Sequence, residues 1–172
     1  MQRPSRVFEN DKVNGIFMNS ICKTNGYGDK FWTLNNSIHR EDGPAIEWSN
    51  GDKHWYINGN LHRVDGPAFE GSNGTKQWYI NGNLHREDGP AIEYHDGTLY
   101  WYINGLLHRE EGPCVEGPSG TKYWYQNDVL HREDGPAVEW SHGYQEWYYK
   151  GKSIDCKDNR EFLRMVKLIA FL

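Results

Sequence analysis

Apolar and polar positions along this chain alternate in short runs of strand length, and each run is closed by a turn signal. In Ala91-Ile92-Glu93-Tyr94 the alternation is clear, Asp96-Gly97 interrupts it, and Thr98 to Ile103 resumes in β-prone residues. That pattern predicts a β-hairpin. Asn-Gly and Asp-Gly favour the type I′ turn, in which both central residues take positive φ, so Asn50-Gly51, Asn73-Gly74 and Asp96-Gly97 are expected to be such turns. A second Asn-Gly, at 58–59, 81–82 and 104–105, is expected to turn the chain towards the next unit. Proline has no N–H for a ladder bond, so the Pro of each Gly-Pro should open a strand or stand beside one.

The hairpin pattern recurs without insertion. His-Arg falls at 39–40, 62–63, 85–86, 108–109 and 131–132, a step of 23 residues each time. Gly-Pro follows at 43–44, 66–67, 89–90, 112–113 and 135–136, and Trp-Tyr begins at Trp55, Trp78, Trp101, Trp124 and Trp147. Five units thus span 39–153, preceded by a decayed half-unit in which Gly28 and Trp32 hold the register. One unit offers too small an apolar face to stand alone, so copies must stack on their neighbours. The expected fold is all-β: an elongated single antiparallel sheet of stacked hairpins, advancing about 10 Å per repeat at the usual strand spacing. Three segments follow: an N-terminal cap with the half-repeat (1–38), the five repeats (39–153) and a C-terminal capping helix (154–172). In that helix Asp155 is the expected N-cap, and Phe162, Met165 or Val166, Ile169 and Leu172 recur at helical spacing. Its rival role, lying on a membrane surface, has only Arg160, Arg164 and Lys167 as a basic face. Near the N-terminus, Val7-Phe8 and Ile16-Phe17 are expected to form an irregular starting hairpin.

Composition changes the picture of the core. Only 37% of the residues are hydrophobic, while eight Trp and eleven Tyr supply large apolar surfaces, so a thin, aromatic core is expected. A net charge of −5 argues against a general nucleic-acid binder. Cys22, Cys114 and Cys156 are too few and too scattered for a disulfide framework or zinc site. No apolar run reaches signal-peptide or bilayer length, and the expectation is a soluble, cytoplasmic protein without a transmembrane segment.

The unit Trp-Tyr-Ile-Asn-Gly-Asn-Leu-His-Arg-Glu-Asp-Gly-Pro-Ala-Ile-Glu-Tyr-His-Asp-Gly, residues 78–97, resembles the MORN repeat in period, in the aromatic before Asn-Gly and in the closing Asp-Gly or Asn-Gly. The resemblance covers 27–153. It departs where Tyr79-Ile80 replaces the glycine that normally follows the first aromatic, and where Gly89-Pro90-Ala91 replaces Gly-x-Gly. It is a divergent, MORN-like subclass, and arrays of this His-Arg-acid-Gly-Pro-Ala type look like those of large DNA viruses and some phages. The resemblance implies a hairpin-repeat fold, a viral or phage accessory protein acting in the host cytoplasm on a host factor, and a role as scaffold, dimerisation module or binder of proteins or lipid head groups. It assigns no function to a particular residue.

Among the candidate chemistry, the His-Arg-Glu-Asp run places an acid-base group, a cation and a carboxylate together. An enzyme needs unlike groups converging on one spot, whereas these recur in identical surroundings. A structural use is expected, with Arg40 and its equivalents pairing with Glu47 and its equivalents, and His39 and its equivalents stacking on a Trp. The His ladder cannot bring its members to one metal ion. The functional counterpart is a file of Arg63, Arg86, Arg109 and Arg132 beside aromatic platforms, suited to a nucleotide-like phosphorylated ligand. Four residues after each Pro the occupants run Trp48, Gly71, Tyr94, Gly117, Trp140. If they share a face, the glycines leave slots between aromatics, which serve either ligand binding or interdigitated packing. Copy four is the least regular, with Cys114, Pro118 and Asn127-Asp128. Cys114 should be a small buried thiol rather than a nucleophile. The sequence therefore points to a non-enzymatic module, without cofactor or metal, that binds a protein partner or itself. The alternative is a protein that sequesters a nucleotide or similar small molecule.

Overall fold

The computed structural model describes residues 12–13, 16–17 and 20–170. The chain is mostly antiparallel β, with a helix, α1 (Asn159–Ala170), closing the described residues. It divides into two compact units, Met1–Leu84 and His85–Leu172, cut at the boundary between the second and third repeats. In the first unit, Ile21–Thr24, Lys30–Leu34, Ile46–Glu47, Lys53–His54, Phe69–Glu70 and Lys76–Gln77 form an antiparallel sheet in chain order, and Ser37–Ile38 pairs back onto Lys30–Leu34. In the second, Ile92–Glu93, Leu99–Tyr100, Val115–Glu116, Lys122–Tyr123, Val138–Glu139 and Gln145–Glu146 do the same. Ile16–Phe17 does belong to a hairpin, with Lys12–Val13 as its partner. Val7-Phe8 lie outside the described residues.

Each repeat holds a second hairpin that the sequence pattern did not separate from the first. The run Thr98 to Ile103 is divided at Trp101: Leu99–Tyr100 belongs to the sheet, while Tyr102–Ile103 pairs with Leu106–Leu107. The same division occurs at every Trp-Tyr, as in Tyr56–Ile57 with Asn60–Leu61 and Tyr125–Gln126 with Val129–Leu130. The cause is the way the Trp backbone is satisfied. Trp101 donates its N–H to the Cys114 carbonyl at 2.8 Å and accepts from His108 N–H at 3.2 Å, both in the following repeat. Trp124 does the same with Ala137 and His131, and Trp55 with Ala68 and His62. Buried backbone groups must be paired somewhere. Here the Trp peptide groups pair forward, which stitches one repeat to the next.

Gly51, Gly74 and Gly97 have positive φ (98°, 92°, 89°), but Asn50, Asn73 and Asp96 do not, so these are not type I′ turns. Trp48 accepts from Gly51 N–H at 3.0 Å and donates to the Asp52 carbonyl at 2.9 Å, giving a three-residue loop with a glycine bulge. The Asn side chain is occupied within its own loop: Asn73 Oδ1 accepts from Thr75 N–H at 3.0 Å. The type I′ geometry belongs to the second hairpin, where Asn58 and Gly59 (49°, 80°) and Asn104 and Gly105 (51°, 83°) are both left-handed.

Register assigns the faces. Ile92, Tyr100, Val115, Tyr123 and Val138 lie directly opposite one another across successive strands of the second unit and share one face. Glu93, Leu99, Glu116, Lys122 and Glu139 share the other. The fully buried residue of every repeat is small: Ala45, Ala68, Ala91, Cys114 and Ala137 show no exposed surface. The interior is therefore thin, as expected, but its closest packing is aliphatic, and most rings lie half-buried around it.

The helix caps the last hairpin. Phe162 is fully buried against Tyr149 and Ile154, with Met165 and Val166 packed on the same cluster. The N-cap is Asp158 rather than Asp155: its Oδ1 accepts from Glu161 N–H at 2.9 Å, and Glu161 reaches back to Lys157 N–H at 3.0 Å. Asp155 is displaced because Ile154 is still extended, donating its N–H to the Trp147 carbonyl. Ile169, expected on the inner stripe, is exposed. Leu172 lies outside the described residues.

Candidate functional site

Two repeated features come from this scaffold, an aromatic face and a row of charged loops. On the aromatic face, the residue four after the Pro of the Gly-Pro that follows each His-Arg opens its three-residue loop and, where it is aromatic, leans on a sheet-strand ring. Trp48 meets Phe31 edge-on at 5.6 Å and His54 at 6.2 Å; Tyr94 meets Tyr100 at 5.8 Å; Trp140 meets Tyr123 at 5.7 Å. Tyr102 stacks beside Tyr100 and Tyr125 tilts against Tyr123. Trp140 also donates from Nε1 to Glu146 at 2.9 Å. Trp48 in the first unit and Tyr94 in the second are 38% and 40% exposed, so each presents ring surface to solvent. Burial pushes the Tyr123 phenol above its ordinary pKa, with Glu146 and then Tyr100 adding to the shift, and burial also raises Tyr125.

The two glycines at this position differ. A Cβ on Gly71 would stand 2.7 Å from Asn73 Oδ1 and 3.2 Å from the Phe69 ring, which itself meets His54 at 4.8 Å. Phe69 stands where the other repeats carry Ile or Val, and it fills the space left by Gly71. At Gly117 the nearest atom is the Thr121 carbonyl oxygen at 3.5 Å, so the position is open.

On the other side the arginines are held by their own repeats. Arg132 donates from Nε to Asp134 at 2.7 Å and from Nη1 to the Pro136 carbonyl at 3.2 Å and Glu139 at 3.0 Å. Arg63 and Arg86 repeat the pattern with Asp65, Pro67 and Glu70, and with Asp88, Pro90 and Glu93. The expected pairing of Arg with the Glu seven residues on is thus present, and Arg40 comes within 3.5 Å of Glu47. Hydrogen bonds from the arginines hold the Asp65, Asp88 and Asp134 carboxyls below the usual range. It is Arg, not His, that lies on the Trp of the preceding repeat: the guanidinium carbons of Arg63, Arg109 and Arg132 stand 4.2, 3.9 and 4.1 Å from the ring centres of Trp55, Trp101 and Trp124. The ring nitrogen of His is used in the second turn, where Nδ1 of His62, His85 and His131 accepts from the N–H of Asn81, Asn104 and Lys150. A planar cation fits the Trp face and still points its fork at carboxylates, whereas imidazole offers one acceptor that suits a left-handed turn N–H.

Between successive loops lie grooves. One, of about 840 Å³, runs over Trp101 and Ile103 between Arg86-Glu87-Asp88-Gly89 and His108-Arg109-Glu110-Glu111. Another, of about 760 Å³, joins that second loop to His131-Arg132-Glu133-Asp134 over Trp124. In the first unit a groove of about 600 Å³ lies over Trp55 and Ile57. Copy four departs at the loop: Glu111 replaces Asp, Gly112 takes φ of 98°, and Arg109 keeps its bonds to Pro113 and Glu116. Among the described residues His108 Nδ1 is buried without a hydrogen-bond partner, and Asp128 of the altered turn instead accepts from Leu107 N–H at 2.7 Å.

One set of linking residues was not singled out from sequence. Asp29 and Asp52, each following a loop glycine, accept from Ser49 and Ser72 N–H of the next loop at 2.8 and 2.7 Å. Those backbone bonds are the main cause of their depressed pKa values. The positional signal, a polar residue after Gly at a fixed step of 23, is present in the sequence.

Cys114 donates its thiol to the Tyr125 carbonyl at 3.0 Å, and burial pushes its pKa up, which keeps it protonated. Among the described residues no cluster of three His, Cys, Asp or Glu could hold a metal ion, and no helix is long and apolar enough to cross a membrane. The geometry therefore offers exposed ring edges on one side and self-neutralised charged grooves on the other. No family model matches the chain, and no curated protein matches its sequence.

Proposed function

We propose that the chain is a non-enzymatic, MORN-like repeat module that binds a protein partner, or a second copy of itself, through the aromatic side of its hairpin sheets. The observation that carries this reading is the set of rings at Trp48 in the first unit and at Tyr94 and Trp140 in the second, each fixed edge-on against a strand ring, with Trp48 and Tyr94 exposed. Fixed aromatic rings bind with little further loss of side-chain freedom and dominate interface energetics. In the loops, by contrast, most donors of the arginine forks are engaged by carboxylates and carbonyls of the same repeat. The viral or phage setting, the host cytoplasm and the host-factor target belong to this proposal through the MORN-like unit.

The second reading, sequestration of a nucleotide-like anion, rests on the groove over Trp101, where Arg109 lies on the indole and, among the described residues, lacks the Nε–carboxylate bond seen at Arg63, Arg86 and Arg132. Glu87, Asp88, Glu110 and Glu111 in the same groove oppose an anion. Native mass spectrometry separates the two readings. A copurified species of nucleotide mass, lost in Arg109→Ala, favours the second. A dimer or a retained protein partner that is lost in the triple variant Trp48→Ser, Tyr94→Ser, Trp140→Ser favours the first, and binding unchanged in that variant refutes it.

A further inference from the structure

Two loop positions, Gly71 and Gly117, lack the ring that Trp48, Tyr94 and Trp140 carry, and the gap at Gly117 is the open one. The registers around Trp48 and Gly117 are equivalent. Trp48 lies diagonal to Phe31 of the preceding strand and to His54 of its own repeat, and touches both. Gly117 lies in the same relation to Tyr100 of the preceding strand and Tyr123 of its own, because Tyr100 and Tyr123 both pair with Val115 two residues before it. Tyr94 already meets Tyr100, and Trp140 already meets Tyr123, each at the other side of those rings' strands. By register the gap at Gly117 therefore lies between two tyrosines, and the nearest atoms to a Cβ there, those of Thr121 and Ser119, stand no closer than 3.5 Å. The companion gap at Gly71 is closed by Phe69 and Asn73.

Resting on the protein-binding reading above, we propose that Gly117 marks a receptor slot for one aromatic side chain, preferentially an indole, donated by the protein partner. The protein itself supplies the template: at the equivalent loop positions the occupants are Trp48, Tyr94 and Trp140, and each sits edge-on to a strand ring at 5.6 to 5.8 Å. A partner indole at Gly117 would make the same edge-to-face contacts with Tyr100 and Tyr123, which aromatic quadrupoles favour over face-to-face stacking. Within the second unit its occupancy would place a ring between those of Tyr94 and Trp140. An anchor of this kind, a single ring inserted in a gap between fixed rings, is how interfaces concentrate their binding energy.

The test uses the full chain with tyrosine-labelled rings and N-acetyl-tryptophanamide as the probe. Saturable shifts of the Tyr100 and Tyr123 ring signals are expected, with a dissociation constant on the order of 1 mM, the range of a single weakly held group. Gly117→Trp fills the slot from within. No left-handed φ opposes a side chain there and the Cβ clears its neighbours, so this variant should fold, melt higher than the parent and lose probe binding at least tenfold. Gly71→Trp, whose Cβ would collide with Asn73 Oδ1 and press on the Phe69 ring, should melt lower and leave the probe bound. Tyr123→Ser removes one wall, and it keeps the test decisive if Gly117→Trp does not fold: binding should again fall at least tenfold. Unchanged probe binding in Gly117→Trp or in Tyr123→Ser overturns the slot, and so does equal binding of N-acetyl-leucinamide. Loss of partner binding in the triple loop variant with no effect of Gly117→Trp refutes the slot alone. No effect of either refutes the aromatic-face reading itself.

Discussion

Replacing Arg132 by Ala tests whether the charged loops exist to hold the array together. The guanidinium stands 4.1 Å above Trp124, a contact worth about 0.5–1 kcal/mol on a half-buried ring. Its bond to Glu139, a carboxylate 32% exposed, adds about 1 kcal/mol after allowance for solvent, while that to the 80%-exposed Asp134 adds about 0.5. Losing the donor to the Pro136 carbonyl costs about 1 kcal/mol more. These sum to about 3 kcal/mol. For a chain of this length that corresponds to a fall in Tm of about 6–12 °C. Arg132→Lys keeps a point charge near Glu139 but neither the planar stack nor the fork, and should recover less than half of the loss.

The assay is thermal and urea unfolding followed by far-ultraviolet dichroism, with the Arg132→Ala, Glu139→Ala cycle isolating their coupling. A melting point for Arg132→Ala within about 1 °C of the parent, with a normal dichroism spectrum, would refute the structural account. The loops would then be free to be read as ligand sites.

His54 sits among Trp48, Tyr56 and Phe69, and burial lowers its pKa from the ordinary 6.5, with Asp52 opposing. Since the unfolded chain takes up that proton first, stability is full above about pH 6.5 and declines as pH falls towards the lowered folded value; His54→Tyr, the residue that copies three and four carry, should flatten urea midpoints across that window. Phe162→Ala should cost about 3–5 kcal/mol, read locally as a change in Trp147 fluorescence and faster amide exchange in α1, because Phe162 is the fully buried anchor of the cap. Asn104→Ala, at φ 51°, should cost about 1 kcal/mol by urea unfolding, since an alanine there is held in the left-handed region.

The hairpin array and capping helix were legible because each is carried by strong local chemistry repeated in register: Gly-Pro before a strand, glycine at each loop, and an apolar stripe at Phe162, Met165 and Val166. What escaped was decided by contacts across repeats. Nothing in Thr98 to Ile103 signals a break, because the cause is the Cys114 carbonyl and His108 amide of the next copy meeting Trp101. The two Asn-Gly dipeptides look alike in sequence. They differ in structure because one closes a three-residue loop, where only glycine turns left-handed, and the other a two-residue loop, where both residues must. Arg took the place expected of His on the Trp face for the same reason: the choice depends on which group also reaches a carboxylate. At the candidate site, the alternation Trp48, Gly71, Tyr94, Gly117, Trp140 was visible, but the difference between its two glycines was not. It turns on Phe69, an apolar substitution that looks conservative until its ring is placed beside Gly71.

If copies are interchangeable in their bonding and distinct only on the aromatic face, removing a whole copy should separate fold from recognition. Deleting 108–130 joins Leu107 to His131, a cut of one 23-residue period that leaves every local motif intact. Trp101 N–H, which now meets the Cys114 carbonyl, would meet that of Ala137, as Trp124 does in the parent. Arg132 would lie on Trp101 instead of Trp124, and α1 would still close over Tyr149 and Ile154. The shortened protein should therefore fold cooperatively, with stability lowered by one copy and its interface. On the aromatic face the outcome is different. Trp140 would come to lie beside Tyr100, where Gly117 lay, so the chain's own indole would fill the place and N-acetyl-tryptophanamide should no longer bind. An unfolded deletion variant would show that copy four, with Asp128 and the unpartnered His108, has a structural role its neighbours cannot replace. A folded variant that still binds the probe would place recognition elsewhere on the face.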